Sequence, residues 1–331
     1  MVHNCYANLQ QFPSDPIDWP IYERFLEDCT TIGHKPGEGV KAISLVSDGE
    51  STLSKHYGKF VQRAKLLGID IASGTNGEAL RPDDMPMLAD CLTYLRINLN
   101  SASAIRNAKI MGTSVNAFWR VIRNIERMVR VKRERNAAVT IGLQMVLMPH
   151  YKEEIVPLAK YGKTLGVDYL IIKHCSDDEA GRLGVDYDWY RTEEAIDLLK
   201  EAEAQSDDTY KVHIKWSKFA TGRDRLYSKC YGTALHLQMS GSGIVAPCGS
   251  FFNERYKRFH IGDIAQSRFR DIWASPEYRE VIRHLCSEQF DPRKECETLC
   301  LQDRTNLALF NLIDKGEAPP VAADTAHRNF L

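Results

Sequence analysis

The chain has 331 residues, too long for one small core, so we expect two domains or one barrel with an appendage. With 44% hydrophobic residues, 26% charged residues and a formal net charge of −1, the composition is that of an ordinary globular protein. This balance gives no reason to expect nucleic acid or an anionic membrane surface as a partner. The apolar runs are far shorter than a bilayer span and no signal-peptide layout is present, so we expect a cytoplasmic protein.

Short β-branched runs alternate with amphipathic helical patterns from Val40 to about Ile214. Five runs predict strands, and a sixth is a further candidate: KAISLVS, IDIAS, TYLRINLN, AVTIGLQMVLM, DYLIIKH and YKVHIKW. Repeated βα units imply an α/β fold with a parallel sheet wrapped by helices.

One helical segment carries many positive charges. Seven basic residues lie from Arg120 to Arg135, while apolar residues recur at helical spacing on the opposite face. This pattern is typical of a solvated outer helix, so we prefer that interpretation to a nucleic-acid patch.

The pattern changes after Trp216. LHLQM, the turn SGSG and IVAPC predict a β-hairpin, because glycine and serine suit tight turns. Short helices are expected at FRDIW, PEYREVIRHL and near NLALFNLI. We therefore divide the chain into a barrel domain (1–216), a small cysteine-bearing α+β domain (217–314) and a tail (315–331).

Nine cysteines without an export signal argue against a disulfide framework. Cys230 is followed by twelve residues, Gly243, four residues and Cys248, and the pair Cys296 and Cys300 comes later. Four thiolates suit a 4Fe-4S cluster, although zinc uses the same ligands. We expect Cys29 and Cys91, in apolar helical stretches, to be inert buried thiols.

Polar segments end three successive predicted strands: Ser47–Leu53, Ser73–Gly77 and Leu95–Asn100. The carboxyl edge of a parallel sheet is where barrel enzymes place their sites. Glu50 can accept hydrogen bonds from an amine, and Gly49 lets a ligand approach the backbone. Taken alone, the first segment also reads as a helix start with Ser51 or Thr52 as N-cap.

In order, these GxGEP-like, TNG-like and RISLD-like segments resemble the radical SAM superfamily, and the resemblance covers nearly the whole chain. It implies a partial (β/α)6 TIM-like barrel. It also implies a 4Fe-4S cluster on a CX3CX2C loop that binds S-adenosylmethionine and cleaves it to a 5′-deoxyadenosyl radical. That radical then abstracts hydrogen from a substrate.

The same resemblance assigns cofactor-binding residues. Gly49 and Glu50 match the motif that meets the methionine amine, although Ser47 and Ser51 depart from its usual glycine and proline. The remaining residues expected to line the S-adenosylmethionine site are Asn76, Asn98, Asn100 and Gln144.

The spacing from Cys230 to Cys248 resembles the opening of the SPASM and twitch domains that carry auxiliary clusters, as does HIGDIAQSRFRDIWASPEYREVI. Because the seven-cysteine SPASM set is absent, we expect a twitch-like domain with one auxiliary 4Fe-4S cluster. Its expected ligands are Cys230, Cys248, Cys296 and Cys300. Cys286 is a spare cysteine for which two interpretations stay open, replacement of one of these ligands or a buried structural thiol, and we prefer the second.

Lys173 and Cys175, near the end of the DYLIIKH strand, are the candidate donors of a proton or hydrogen to substrate. We expect a radical SAM enzyme acting on a small alcohol, a sugar or a peptide, with an electron donor such as flavodoxin or ferredoxin. The alternatives are a degenerate radical SAM scaffold and a barrel enzyme with a structural zinc.

The expected cluster loop is incomplete. Cys5, followed by Tyr-Ala-Asn, resembles the last cysteine of CX3CX2C, but Val2 stands in the place of the middle one. We therefore expect an N-terminally truncated copy that lacks the first strand and two cluster ligands. Lys41–Ser47 would then be the second strand of six and Tyr169–His174 the sixth, with YKVHIKW beyond the barrel.

Overall fold

The computed structural model describes residues 17–33, 38–46, 49–177, 181–221, 224–296, 300–319, 327 and 329–330. Within them, six parallel strands form one sheet in chain order, from β1 to β6. The strands are β1 (Ala42–Leu45), β2 (Asp70–Thr75), β3 (Tyr94–Asn98), β4 (Thr140–Leu147), β5 (Tyr169–His174) and β6 (Lys211–Ile214). The parallel α/β barrel architecture expected from the sequence is confirmed.

One detail of that expectation was wrong. YKVHIKW does not lie beyond the barrel, because Lys211–Ile214 pairs in parallel with β5. The reason is the alternation within the strand: Val212 and Ile214 are buried in the core, while Lys211 and His213 are exposed. β6 therefore extends the sheet instead of starting the next domain.

Alternation divides the sheet into two faces. On β3 to β5, residues such as Leu95, Leu143 and Leu170 are fully buried within the main apolar core. Their neighbours in sequence point to the opposite, inner face, where the half-buried Arg96 and Asn98 lie. The inner face therefore carries the polar side chains of the sheet.

Twelve α-helices are assigned in the described ranges. They are α1 (Trp19–Thr31), α2 (Tyr57–Leu66), α3 (Met85–Cys91), α4 (Ala104–Met111), α5 (Val115–Arg135), α6 (Ile155–Leu165), α7 (Glu193–Glu203), α8 (Trp216–Thr221), α9 (Phe269–Ala274), α10 (Pro276–Leu285), α11 (Pro292–Glu295) and α12 (Asp303–Asp314). Along α5 the buried residues include Phe118, Ile122 and Ile125, so the basic helix packs by its apolar face as expected. Across the described residues, no helix has the length and apolarity needed to cross a membrane.

The expected hairpin is present, and a third strand joins it. β7 (Gln238–Met239), β8 (Ile244–Ala246) and β9 (Gly262–Asp263) form an antiparallel sheet. Gly243 has a φ of 98°, which its turn requires and which favours glycine.

The two parts of the chain share a core. Val245, Ile261 and Phe269 belong to the same apolar cluster as the barrel. Phe25 on α1 packs against Phe269 on α9 with ring centroids 5.0 Å apart, and Arg268 donates to the buried Asp28 at 2.9 Å. The boundary near residue 216 stays a prediction.

Residues near the C-terminus contact the amino edge of the barrel sheet. The rings of His327 and Phe330 each lie 5.1 Å from the ring of Tyr94, at the start of β3. Asn329 donates to Asp70 at 2.6 Å, at the start of β2. The segment predicted as a tail therefore touches the barrel at its amino end.

Candidate functional site

Glu50 links the ends of β1 and β2. Its Oε1 accepts hydrogen bonds from the Thr52 hydroxyl at 2.7 Å, the Thr52 N–H at 3.2 Å and the Thr75 hydroxyl at 2.6 Å. Among the described residues, only the Asn76 N–H donates to its Oε2, at 2.7 Å. A carboxylate offers about four lone-pair sites, two on each oxygen. One acceptor site therefore remains on Oε2, at the carboxyl edge of the sheet.

The loop around Glu50 is open on its outer side. Gly49 is exposed, and a Cβ at this position would meet no atom within 4 Å. Thr52 and Thr75, by contrast, are buried, so their hydrogen bonds hold the carboxylate on its core-facing side. Asn76 accepts the Glu78 N–H through its side-chain oxygen at 2.9 Å, which fixes the turn after β2. Ser47 lies outside the described residues.

Asn98 and Gln144 form a polar pair on the inner face. They are register partners on β3 and β4, and Gln144 Nε2 donates to Asn98 Oδ1 at 2.7 Å. Both are half-buried, so part of each amide remains accessible to a ligand. The structure brings these two predicted site residues together.

Asn100 has a different position from the other predicted cofactor residues. It is 1% exposed, its Oδ1 accepts the Val146 N–H at 2.8 Å, and its Nδ2 contacts Met111 Sδ at 3.0 Å. Its amide therefore joins β3 to β4 and α4. Its predicted role in cofactor binding is untested, and Asn98 is better placed for it.

Tyrosine rings fill the inner face near the amino ends of the strands. Arg96 lies over the ring of Tyr94 at 4.9 Å from its centroid, and its Nε donates to the Tyr169 hydroxyl at 3.3 Å. Gly142 makes this possible, because a Cβ there would lie 2.1 Å from the Tyr169 ring. These rings close the amino end of the inner face beneath Asn98 and Gln144.

Lys173 and Cys175 differ in accessibility. Lys173 is half-buried on the inner face of β5, two residues after Ile171, whereas the Cys175 side chain is fully buried and its sulfur contacts the Ser176 carbonyl at 3.7 Å. Burial, reinforced by Lys218, Arg96 and Lys215, lowers the pKa of Lys173 to about 7. Of the two predicted donors, Lys173 is the one that a ligand in the interior can reach.

Four cysteines of the C-terminal part face one another. Burial, followed by the nearby thiols of Cys300 and Cys248, raises the pKa of Cys230 to about 12, against opposing hydrogen bonds from Asn306 and Thr233. Burial also raises the pKa of Cys296 well above its ordinary value; Arg225 opposes this, and Cys230, Cys248 and Cys300 add to it. The predicted four-cysteine set is thus electrostatically coupled.

The surroundings of these thiols fit an iron–sulfur cluster. Cys230 belongs to an apolar cluster with Phe251, Phe252 and Phe290, and Cys248 and Cys296 pack against it. Four sulfur donors in apolar surroundings are what such clusters use. In the described ranges, no three His, Cys, Asp or Glu side chains form a group able to hold a single metal ion as placed.

Cys286 lies beside this group. Its sulfur contacts the Cys230 carbonyl at 3.5 Å, and the pKa of its thiol is raised by burial with an opposing effect of Thr233. None of the other cysteines contributes to that shift. Cys286 thus remains interpreted as a structural thiol, and Cys5 lies outside the described residues.

Asn306 on α12 was missed by the sequence reasoning. It is fully buried, and its Nδ2 points at the sulfurs of Cys300 at 3.5 Å and Cys230 at 3.7 Å. Its Oδ1 accepts the Gly232 N–H at 2.7 Å. The two amides of the otherwise apolar helix NLALFNLI, Asn306 and Asn311, were the available signal.

Comparison with known proteins agrees with this arrangement. Residues 230–301 match the family model of the SPASM iron–sulfur cluster-binding domain. A curated relative from Pyrococcus furiosus, a tungsten-containing aldehyde ferredoxin oxidoreductase cofactor-modifying protein, is 19% identical over 97% of this chain and 89% of its own.

Two solved structures share the fold. Streptococcus suis SuiB bound to S-adenosylmethionine has a TM-score of 0.62 and 16% identity, over 85% of this chain and 64% of SuiB. SuiB has also been solved bound to its precursor peptide SuiA. The protein anSMEcpe with bound S-adenosylmethionine has a TM-score of 0.56 and 14% identity, over 89% of this chain and 88% of its own. The chain thus spans less than two thirds of SuiB.

Proposed function

Because the chain has the fold of the radical SAM enzymes and carries a SPASM iron–sulfur domain, we propose that it binds S-adenosylmethionine and, when the cluster loop has all three of its cysteines, cleaves it reductively and abstracts hydrogen from a substrate. The observation that carries this proposal is the remaining acceptor site on Glu50 Oε2, above an accessible inner face. An ammonium group there would receive a charge-assisted hydrogen bond, which is stronger than a neutral one.

In this proposal, the residues of the inner face orient the bound molecules. Glu50 receives the amine, and the Asn98–Gln144 pair offers its accessible amide groups to the ribose or carboxylate. The rings of Tyr94 and Tyr169 exclude water from the amino end. Lys173 can hold or release a proton at Nζ near neutral pH, because its pKa is lowered to about 7.

The cysteine group would hold an auxiliary cluster. Cys230, Cys248, Cys296 and Cys300 are the proposed ligands, and Asn306 orients two of the sulfurs. When bound, such a cluster supplies one-electron chemistry to substrate oxidation, with a flavodoxin or ferredoxin as the proposed electron donor. The protein shields it with the surrounding phenylalanines.

Two of the similar proteins support different substrate classes. The precursor peptide bound to SuiB supports a peptide, and the name of the Pyrococcus furiosus relative supports a cofactor-like small molecule. Because the inner face is lined by amides and cations and no large apolar groove is evident in the residues named above, we favour a polar small molecule.

Anaerobic reconstitution with iron and sulfide tests the proposal. About eight irons per chain, together with 5′-deoxyadenosine formed from S-adenosylmethionine under dithionite, would support the enzyme. About four irons and no 5′-deoxyadenosine would support a degenerate scaffold. One zinc and no iron would support the barrel enzyme with a structural zinc.

A further inference from the structure

Positive side chains converge at one side of the inner face, where β5 and β6 end. Asn98, Gln144 and Ile171 are register partners across β3, β4 and β5. Lys173 on β5 pairs with Val146 on β4, two residues closer to the carboxyl ends of the strands. Lys215 directly follows β6 and lies beside Lys173, because its N–H donates to the Ile172 carbonyl. Lys218 lies on α8, the next helix.

These groups repel one another. Lys218, Arg96 and Lys215 each lower the pKa of Lys173 after the larger effect of burial. The pKa of Lys215 is lowered by burial first, then by Arg96, Lys218 and Arg304. Together with the strand register, these effects place the charges close together at the carboxyl ends of β5 and β6, where Lys173 and Lys218 are half-buried and Lys215 is exposed.

No carboxylate of the described residues forms an ion pair with these lysines. In the described part of the chain, no ion pair or side-chain hydrogen bond involves the ammonium groups of Lys173, Lys215 or Lys218. Asp303 lies near enough to Lys218 to affect it, but its carboxylate accepts a hydrogen bond from the Tyr227 hydroxyl at 2.9 Å. Like charges at close range repel one another, so the fold retains an unfavourable arrangement here.

The Glu50 site lies beside β1 and β2, at the other end of the strand order from the lysines. Glu50 bonds to β2, whereas Lys173 belongs to β5 and Lys215 follows β6, so at least two strands, β3 and β4, separate the two groups. A molecule between them would meet an amine acceptor on one side and ammonium donors on the other.

We propose that Lys173, Lys215 and Lys218, supported by Arg96, form the binding site for an anionic group of the substrate, a phosphate or a carboxylate. This inference rests on the proposed function, since it assigns the substrate class of the same interior. Ammonium groups suit either anion through charge-assisted hydrogen bonds, and the bound anion would balance charges that no described carboxylate neutralises.

Calorimetric titration of the anaerobically reconstituted full chain with inorganic phosphate, pyrophosphate and succinate tests the proposal. We expect binding to the wild type, with roughly tenfold weaker affinity in Lys173→Met and in Lys215→Gln. Lys211→Gln is the matched control, because Lys211 is exposed at the other end of β6. A preference for pyrophosphate over succinate would indicate a phosphorylated substrate, and the reverse a carboxylate.

Thermal unfolding of the same proteins provides a second readout. Without added anion, Lys173→Met should melt at a higher temperature than the wild type, because the repulsion between this half-buried lysine and its positive neighbours is removed. Pyrophosphate or succinate should raise the melting temperature of the wild type and of Lys211→Gln, but not that of Lys173→Met.

Three results would overturn the inference. They are no binding of any of the three anions to the wild type, equal binding in the lysine variants, and a loss of S-adenosylmethionine affinity in those variants as large as the loss of anion affinity. The last result would mean that the lysines hold the cofactor's own carboxylate. Failure of the proposed function would be seen separately, as absent iron or absent 5′-deoxyadenosine while the anions still bind.

Discussion

Asn306 donates through one amide nitrogen towards the sulfurs of both Cys230 and Cys300, although the two cysteines are seventy positions apart in sequence. The same side chain accepts the Gly232 N–H, so it fixes the backbone next to Cys230 as well. Hydrogen bonds to ligand sulfurs are among the groups that set cluster potentials.

We expect Asn306→Asp to keep the iron content of the auxiliary cluster and to lower its reduction potential. The aspartate retains the acceptor for Gly232 but replaces the N–H donor with negative charge beside the sulfurs. A spectroscopically monitored redox titration measures the potential. Asn311→Asp, on the same helix, is the control and should leave the potential unchanged; equal potentials in wild type and Asn306→Asp would contradict the assigned contact.

We expect Cys248→Ser and Cys296→Ser to abolish the auxiliary cluster and to destabilise the C-terminal part, because a small domain depends on its metal site for folding energy. Iron analysis and thermal unfolding after reconstitution measure both effects. Cys91→Ser and Cys286→Ser are the controls and should retain full iron. Full iron and a normal melting curve in Cys248→Ser would show that the ligand set is wrong.

We expect Glu50→Ala to weaken S-adenosylmethionine binding by roughly tenfold or more, since a hydrogen bond to a charged group contributes about 1.5–3 kcal/mol. The variant also frees Thr75 and the Asn76 N–H, which loosens the turn. Calorimetry on the reconstituted protein measures the affinity. Glu78→Ala is the control, because Glu78 pairs with Arg120 at the surface; unchanged affinity in Glu50→Ala would remove Glu50 from the site.

We expect the free energy of unfolding to fall as the pH drops from about 6.5 towards 4, with His174 as a main contributor. Burial and then Lys218 lower its pKa to about 4 in the folded protein, partly offset by hydrogen bonds to backbone carbonyls. The unfolded state therefore takes up the proton first, which costs up to roughly 3 kcal/mol of stability.

Urea unfolding at several pH values measures this dependence. His174→Gln should flatten the curve between pH 6.5 and 5, whereas His150→Gln, at an exposed position, should leave it as in the wild type. An identical pH slope in His174→Gln and wild type would assign the acid sensitivity to other groups.

The sequence predicted the parallel sheet, the C-terminal hairpin and the basic outer helix because each depends on local periodicity. It misjudged YKVHIKW, since membership in a sheet depends on a neighbouring strand and not on the run itself. Contacts across large sequence separations were also out of reach. Asn306 beside Cys230, and Arg96 between Tyr94 and Tyr169, depend on which strands and helices become neighbours.

The close approach of Tyr169 to Gly142 restricts the order in which the interior can be redesigned. With the tyrosine present, even alanine at position 142 would overlap its ring, since the added carbon would lie 2.1 Å away. Shortening Tyr169 first opens space that position 142 can then fill. In a combinatorial library these two positions should therefore be varied together, because most single changes at 142 would be lost before the paired change could rescue them.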